Sequence, residues 1–202
     1  MIRENRGGEG LLAMMTKSGA LLEGHFVLSS GLHSEHYIQC ARLLEVPHRA
    51  ELVGRSLARL VEETVGGGAV DAVVNPALGG IVIGHEVARA LGVRSIFLER
   101  VAGEMTLRRG FGLGPRERVL VVEDVVTTGL STGEVVKAVR AEGAQVVGVG
   151  AIVDRSTGID FGVPFVSLVR ADIANFAQSD CPMCKAGVPA AKPGSRSKEA
   201  TR

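Results

Sequence analysis

The sequence predicts an α/β fold: a mainly parallel, five-stranded sheet flanked by helices. Two observations carry this. β-branched or aliphatic runs recur about one strand-helix unit apart, at Val70 to Asn75, Ser95 to Leu98, Val119 to Val122 and Val146 to Val153. Between them lie stretches with helical periodicity, notably Ile81 to Leu91 and Thr132 to Glu142. Such alternation places helices on both faces of the sheet and ligands at the carboxyl ends of its strands.

In chain order, Leu11 to Glu23 and Glu51 to Thr64 read as amphipathic helices on either side of short extended segments in Phe26 to Cys40. That region has the makings of a hood over the sheet. Pro164 to Val169 supplies the fifth strand, and from Val188 onward Ala, Pro, Lys, Ser and Gly dominate, which predicts a disordered tail. The expected organisation is residues 1–66 as N-terminal helices and hood, 67–180 as the core, and 181–202 as a C-x-x-C turn with the tail.

The 202 residues suffice for one well-buried α/β domain with appendages. A net charge of +1 gives no electrostatic case for nucleic acid or an anionic membrane. No apolar run approaches a bilayer span, and Met1 to Gly10 lacks the apolar core of a signal peptide, so a cytoplasmic protein is expected. Three cysteines argue against a disulfide framework. Cys181 and Cys184 could form half of a zinc site, but Cys40 is distant and the five histidines are scattered at 25, 33, 36, 48 and 85. A reduced surface turn is the expectation there, with zinc shared across a dimer as the alternative.

The most informative stretch is Val119 to Ser131. Four aliphatic residues lead into Glu123 and Asp124, then into Val125-Val126-Thr127-Thr128-Gly129-Leu130-Ser131. A strand that feeds a helix through such a turn gathers backbone N–H groups at the positive end of the helix, which favours a phosphate. The two carboxylates one step earlier can accept hydrogen bonds from hydroxyls. A phosphate beside a vicinal diol, as in ribose 5-phosphate, satisfies both halves. The plainer alternative is a solvated strand end with Thr and Ser capping a helix. Against it stands the cost of holding two carboxylates flush with a buried strand without a partner.

Asn75-Pro76-Ala77-Leu78-Gly79-Gly80 closes another strand and opens another helix, and its glycines allow a close backbone approach to an anion. Two cradles at adjacent strand ends suit a ligand with phosphates at both ends. Asp154-Arg155 follows the strand ending at Val153, where an arginine can pair with a planar carboxylate or imide. Tyr37, the only tyrosine, is as consistent with ordinary packing as with base stacking.

Together these segments resemble the orotate phosphoribosyltransferases, type I phosphoribosyltransferases, from roughly Leu11 to Val169. The string around Glu123 and Asp124 is similar to their phosphoribosyl pyrophosphate (PRPP) motif. Phe26, Leu28, Ser30, Gly31 and Ser34 meet an F-x-L-x-S-G-x-x-S pattern, and Asp154-Arg155 supplies a D-R pair. The resemblance implies the type I phosphoribosyltransferase fold, a homodimer, and the Mg²⁺-dependent conversion of orotate and PRPP to orotidine 5'-monophosphate and pyrophosphate in pyrimidine synthesis. It also implies that Glu123 and Asp124 bind the ribose hydroxyls and that Val125 to Ser131 belong to the PRPP site, with Thr127 to Ser131 around the 5'-phosphate. Ala77, Leu78, Gly79 and Gly80 would then meet the pyrophosphate, Thr127 and Arg155 the orotate, and no side chain would ligate the metal directly.

The chain departs from the family in its cationic loop. Where the family has R-K-x-x-K-x-H, only Arg100 keeps its place; the lysines become Val101 and Glu104, and the histidine is absent. Lysines common in the family are replaced by Gly79 and Ser29. Arg100, Arg108 and Arg109 are then the nearest cations for the leaving pyrophosphate, with Arg100 the catalytic candidate. Two other functions fit the same motifs: transfer to another base such as a purine, or a regulator that senses PRPP without turnover.

Overall fold

A computed structural model describes residues 1–28 and 30–193 of the chain. Strand β1 (Ile2–Glu4) and helix α1 (Leu11–Ser18) lead into β2 (Leu21–Val27) and β3 (His33–Ile38), followed by α2 (Cys40–Leu44) and α3 (Pro47–Val65). The core continues through β4 (Ala72–Pro76), α4 (Gly80–Leu91), β5 (Arg94–Val101), β6 (Glu104–Leu107), β7 (Arg118–Val126), α5 (Leu130–Ala141), β8 (Gln145–Asp154) and β9 (Phe165–Ala171). Strand β10 (Asn175–Phe176) and the short α6 (Pro182–Lys185) complete the described chain.

The main sheet has seven strands in the order β1-β9-β8-β7-β4-β5-β6. Its five central strands are parallel, as expected, and an antiparallel strand extends each edge. Side chains alternate between two apolar cores. Val73, Leu120, Val122 and Ile152 pack with Leu57 and Val61 of α3 and with Ile83 and Val87 of α4. Val74, Val119, Val121 and Val149 pack with Val135, Val136 and Val139 of α5. Both faces are thus covered, which accounts for aliphatic runs without polar alternation. Each fully buried aliphatic side chain contributes roughly 1.5–3 kcal/mol.

Several boundaries differ from the sequence reading. The helix expected over Leu11 to Glu23 ends at Ser18, because Gly19 takes a left-handed conformation (φ 71°) and donates to the carbonyls of Met15 and Thr16. The leucines beyond it, Leu21 and Leu22, begin a strand. The helix expected from Glu51 starts at Pro47, which occupies its first turn without losing a helical hydrogen bond. Residues 100 to 110 are more ordered than a loop: β5 and β6 form a hairpin around Ala102 and Gly103, both at positive φ (50° and 93°).

A second sheet, β10-β3-β2, forms the hood. The chain crosses between the two sheets, since β1 pairs with β9 of the core and β10 pairs with β3 of the hood. Of the tail expected from Val188 onward, residues 188–193 are described and are not a free coil. Val27 donates to the Ala191 carbonyl and Ala191 donates to that of His25, both at 2.8 Å. The rest of the tail, 194–202, lies outside the described residues, as does Ser29. The C-x-x-C is not a surface turn either: Cys181 is fully buried, and His25 and His33 of the hood come together with Cys181 and Cys184.

Candidate active site

The strand order reverses at β4. From β4 the chain goes to β5 on one side and to β7 on the other, so the connections leaving β4 and β7 diverge to opposite faces of the sheet. A crevice opens between such strands at their carboxyl ends. The Ala77 to Gly80 turn leaves β4 and the Thr127 to Ser131 turn leaves β7, so both expected cradles meet at this crevice. The Ala77–Leu78 peptide is cis, and the Ala77 N–H donates to the Leu98 carbonyl of β5. At the other turn Gly129 has φ 70°, and a Cβ there would stand 2.6 Å from Ile159 Cδ1. Glycine is therefore needed both for the reversal into α5 and for the packing beneath it.

Glu123 and Asp124 lie within β7 rather than after it. Glu123 is only 6% exposed. Its Oε1 accepts the Asp124 N–H at 3.1 Å and its Oε2 accepts the Ser131 hydroxyl at 3.3 Å, while Asp124 Oδ1 accepts the Val125 N–H at 2.9 Å. Burial first, and the charge of Asp124 second, push the Glu123 carboxyl up to about 9. The direction of this shift favours a protonated Glu123 in the free protein. Cys40 is buried beneath, its Sγ 3.9 Å from the Asp124 carbonyl, and burial with the two carboxylates holds its thiol well above the usual range. It is a packed, unreactive thiol.

Between the hood and the crevice lies an open-mouthed cavity of about 910 Å³. Thr127, Thr128 and Arg155 line it from the core, and Leu28, Ser30, Tyr37 and Gln39 from the hood. Asp154 and Arg155 divide their tasks. Asp154 Oδ1 accepts the Ser156 N–H at 2.7 Å and Oδ2 accepts from Arg170 at 2.5 Å, which fixes the turn. The Arg155 N–H donates to the Val126 carbonyl at 2.8 Å, tying it to the end of β7. Its guanidinium is half-buried, reaches Asn175 Oδ1 at 3.4 Å, and forms no ion pair with a carboxylate among the described residues. Burial lowers its pKa from the ordinary arginine value, the direction expected of a desolvated cation facing a cavity. Asn175, Thr157 and Lys192 also line this space, and nothing in their sequence context singled them out.

The cations of this segment sit on the β5–β6 hairpin and just after it. Arg100 pairs with Glu134 of α5. Arg109 pairs with Glu99 at 2.9 Å and stacks over the Phe97 ring at 5.7 Å. All three of Arg100, Arg108 and Arg109 are exposed or nearly so.

Similarity to known proteins agrees with this arrangement. The family model of the phosphoribosyl transferase domain matches residues 39–162. The orotate phosphoribosyltransferase of Thermotoga maritima is 53% identical over 184 residues, 91% of this chain and 96% of that protein. The crystal structure of orotate phosphoribosyltransferase from Aeropyrum pernix superposes with a TM-score of 0.62 at 31% identity, over 78% of this chain and 92% of that one. An adenine phosphoribosyltransferase from Thermoanaerobacter pseudethanolicus shares the fold alone, at 17% identity and a TM-score of 0.55 over 67% of this chain and 88% of that one. A crevice with two turns at the switch point, an acidic pair in the strand between them and a 53% identical relative all converge: the chain belongs to the orotate phosphoribosyltransferase family.

Proposed function

We propose that this chain transfers the phosphoribosyl group of PRPP to orotate, releasing pyrophosphate and forming orotidine 5'-monophosphate. The observation that carries the reading is the meeting of three features at one crevice: the Glu123-Asp124 pair, the two turns beside it, and the half-buried Arg155 in the adjoining cavity.

In this reading the turn from Thr127 to Ser131, at the amino end of α5, takes the 5'-phosphate. Glu123 and Asp124 accept hydrogen bonds from the ribose hydroxyls and hold C1 between base and leaving group. Arg155, with Thr127 and Thr128, orients the orotate carboxylate and ring. The bond from C1 to pyrophosphate breaks as the bond from C1 to the base nitrogen forms, through a state with positive charge on the sugar. Such a reaction asks the protein for alignment and electrostatic stabilisation rather than for a covalent intermediate. Orotate brings its own negative charge, so a dedicated general base is not required. The hood forms one wall of the cavity.

Mg²⁺ would be held by oxygens of PRPP and water rather than by side chains, and the crevice, with Glu123 and Asp124 on the ribose hydroxyls, fits a metal that enters with the substrate. When bound, the metal supplies neutralisation of the leaving pyrophosphate. Arg100 and the Arg108-Arg109 pair are the chain's own candidates for the charge that remains. A homodimer in the cytoplasm completes the proposal; no helix among the described residues is long and apolar enough to cross a membrane.

The shared fold of a purine enzyme makes base choice the point to test. Thermal denaturation with PRPP and Mg²⁺ present, adding orotate or hypoxanthine in parallel, separates the alternatives. Protection by orotidine 5'-monophosphate and by orotate, but not by hypoxanthine or inosine monophosphate, is the expected result. The reverse order assigns the site to a purine.

A further inference from the structure

Four potential metal ligands converge at the hood, none of them lining the cavity beside the catalytic crevice: His25, His33, Cys181 and Cys184. We propose that they bind one Zn²⁺ in a closed, tetrahedral Cys2His2 site that staples the C-terminal segment to the hood.

The ligand atoms all lie within 4.8 Å of one another. Cys181 Sγ is 3.5 Å from His25 Nε2, and Cys184 Sγ is 3.7 Å from His25 Nε2 and 3.3 Å from His33 Nδ1. With zinc bonds of about 2.3 Å to sulfur and 2.0–2.1 Å to nitrogen, a tetrahedron has nitrogen-to-sulfur edges of about 3.6 Å. The three observed separations bracket that length. The two ring nitrogens stand 2.6 Å apart, closer than the roughly 3.3 Å edge of the same tetrahedron, so the rings must part by several tenths of an ångström to admit the ion.

The tautomer of His25 is fixed from outside. Its Nδ1 lies 2.7 Å from the Val188 carbonyl, which can only accept, so the proton sits on Nδ1 and the Nε2 lone pair faces the cluster. A backbone carbonyl in this position is the usual outer partner of a metal-bound imidazole. Burial points the same way. Cys181 is 0% exposed, His25 4% and His33 5%, so two imidazoles and a thiol have been taken out of water to face one another. Such a group of soft and borderline donors, with no carboxylate among them, selects zinc over magnesium or calcium.

The staple has a structural consequence. The two histidines come from β2 and β3 and the two cysteines from the segment around α6, so the ion closes a loop of about 150 residues. Just beyond, Ala191 pairs alongside β2, and Lys192 and Pro193 line the cavity with Leu28 and Tyr37. A metal here holds that wall of the base pocket in place without touching substrate. Its soft and borderline donors differ from the oxygen groups that Mg²⁺ takes, and none of the four lines the cavity.

The test uses the full chain, purified under reducing conditions without added metal and analysed by elemental mass spectrometry. About one zinc per chain is expected in the wild type, and less than a tenth of that in Cys181→Ala with Cys184→Ala. Cobalt exchanged for zinc should give the intense visible bands of a tetrahedral site with ultraviolet thiolate charge transfer. Because the variant could fold poorly, the wild type is also stripped with a chelator: melting should fall by roughly 5–10 °C and be restored by zinc but not by magnesium. A reduced, folded wild type that takes up no zinc on reconstitution overturns the proposal. So does a cobalt spectrum without thiolate charge transfer, or a Cys181–Cys184 disulfide whose reduction creates no metal binding.

Discussion

The carboxylate of Asp124 lies against the Cα of Gly79, so close that a Cβ there would stand 2.8 Å from both carboxylate oxygens. This contact joins the turn after β4 to the acidic pair of β7. It also gives a physical reason for Gly79: a side chain at 79 has no room unless the carboxylate moves. The backbone of Gly79 is ordinary (φ −58°), so the demand is for space and not for an unusual conformation.

Gly79→Ala should therefore displace the Asp124 carboxylate and weaken PRPP binding roughly tenfold, a size typical of overpacking a tight contact. Asp124→Ala removes the obstacle together with the function. If the contact is the cause, the double variant binds PRPP no worse than Asp124→Ala alone. Calorimetry on the three variants measures this; additive losses would mean that Gly79 acts on the ligand by another route.

Glu123 sets a pH dependence. Its folded-state pKa of about 9 stands above the ordinary 4.5, so the folded chain holds this proton more tightly than the unfolded chain does. Its contribution to stability is full below the unfolded value and is lost as the pH rises from about 4.5 toward 9. Glu123→Gln cannot ionise, so denaturant midpoints of this variant should fall less steeply than those of the wild type between pH 5 and 9. Parallel slopes for the two proteins would show that burial does not hold the proton. Proton release on PRPP binding near pH 8, read by calorimetry in buffers of different ionisation enthalpy, is the matching ligand experiment.

Much of this site was legible because its signals are local. The aliphatic run of β7, its two acids and Gly129 are contiguous, and the strand-turn-helix reading follows from their order alone. The hood was not legible in the same way. His33-Ser34-Glu35-His36 has no apolar alternation, and its strand is held by pairing with β2 and β10. β6 escaped notice because Glu104 to Leu107 is short and takes its stability from the Ala102-Gly103 turn. The histidine and cysteine cluster is a matter of distance along the chain: 151 residues separate His33 from Cys184, and only the folded hood brings them together.

Arg155 should govern orotate and leave PRPP nearly untouched. Losing a charge-assisted hydrogen bond from a partly desolvated arginine costs about 1.5–3 kcal/mol, which corresponds to a rise of roughly 10- to 150-fold in the orotate KM for Arg155→Ala. Steady-state kinetics with each substrate varied in turn measures it. A rise confined to the PRPP KM would move Arg155 to the other half of the site.

The hairpin arginines are expected to act late. Arg100 is held by Glu134 and Arg109 by Glu99 in exposed pairs, which solvent makes easy to open, so either guanidinium can be released to another anion. Arg100→Ala, and Arg108→Ala with Arg109→Ala, should lower turnover by a larger factor than PRPP affinity, the pattern of an interaction made in the transition state. Unchanged turnover in both variants would place the neutralising charge outside this hairpin.

The central claim is turnover of orotate itself, and ultraviolet absorbance follows it directly. Purified full-length chain, incubated with PRPP, Mg²⁺ and orotate, should consume orotate and release pyrophosphate in equal amounts. The reaction should stop when PRPP or Mg²⁺ is omitted, and neither uracil nor hypoxanthine should compete. Tight PRPP binding with no loss of orotate absorbance, or consumption of hypoxanthine in its place, would contradict the account.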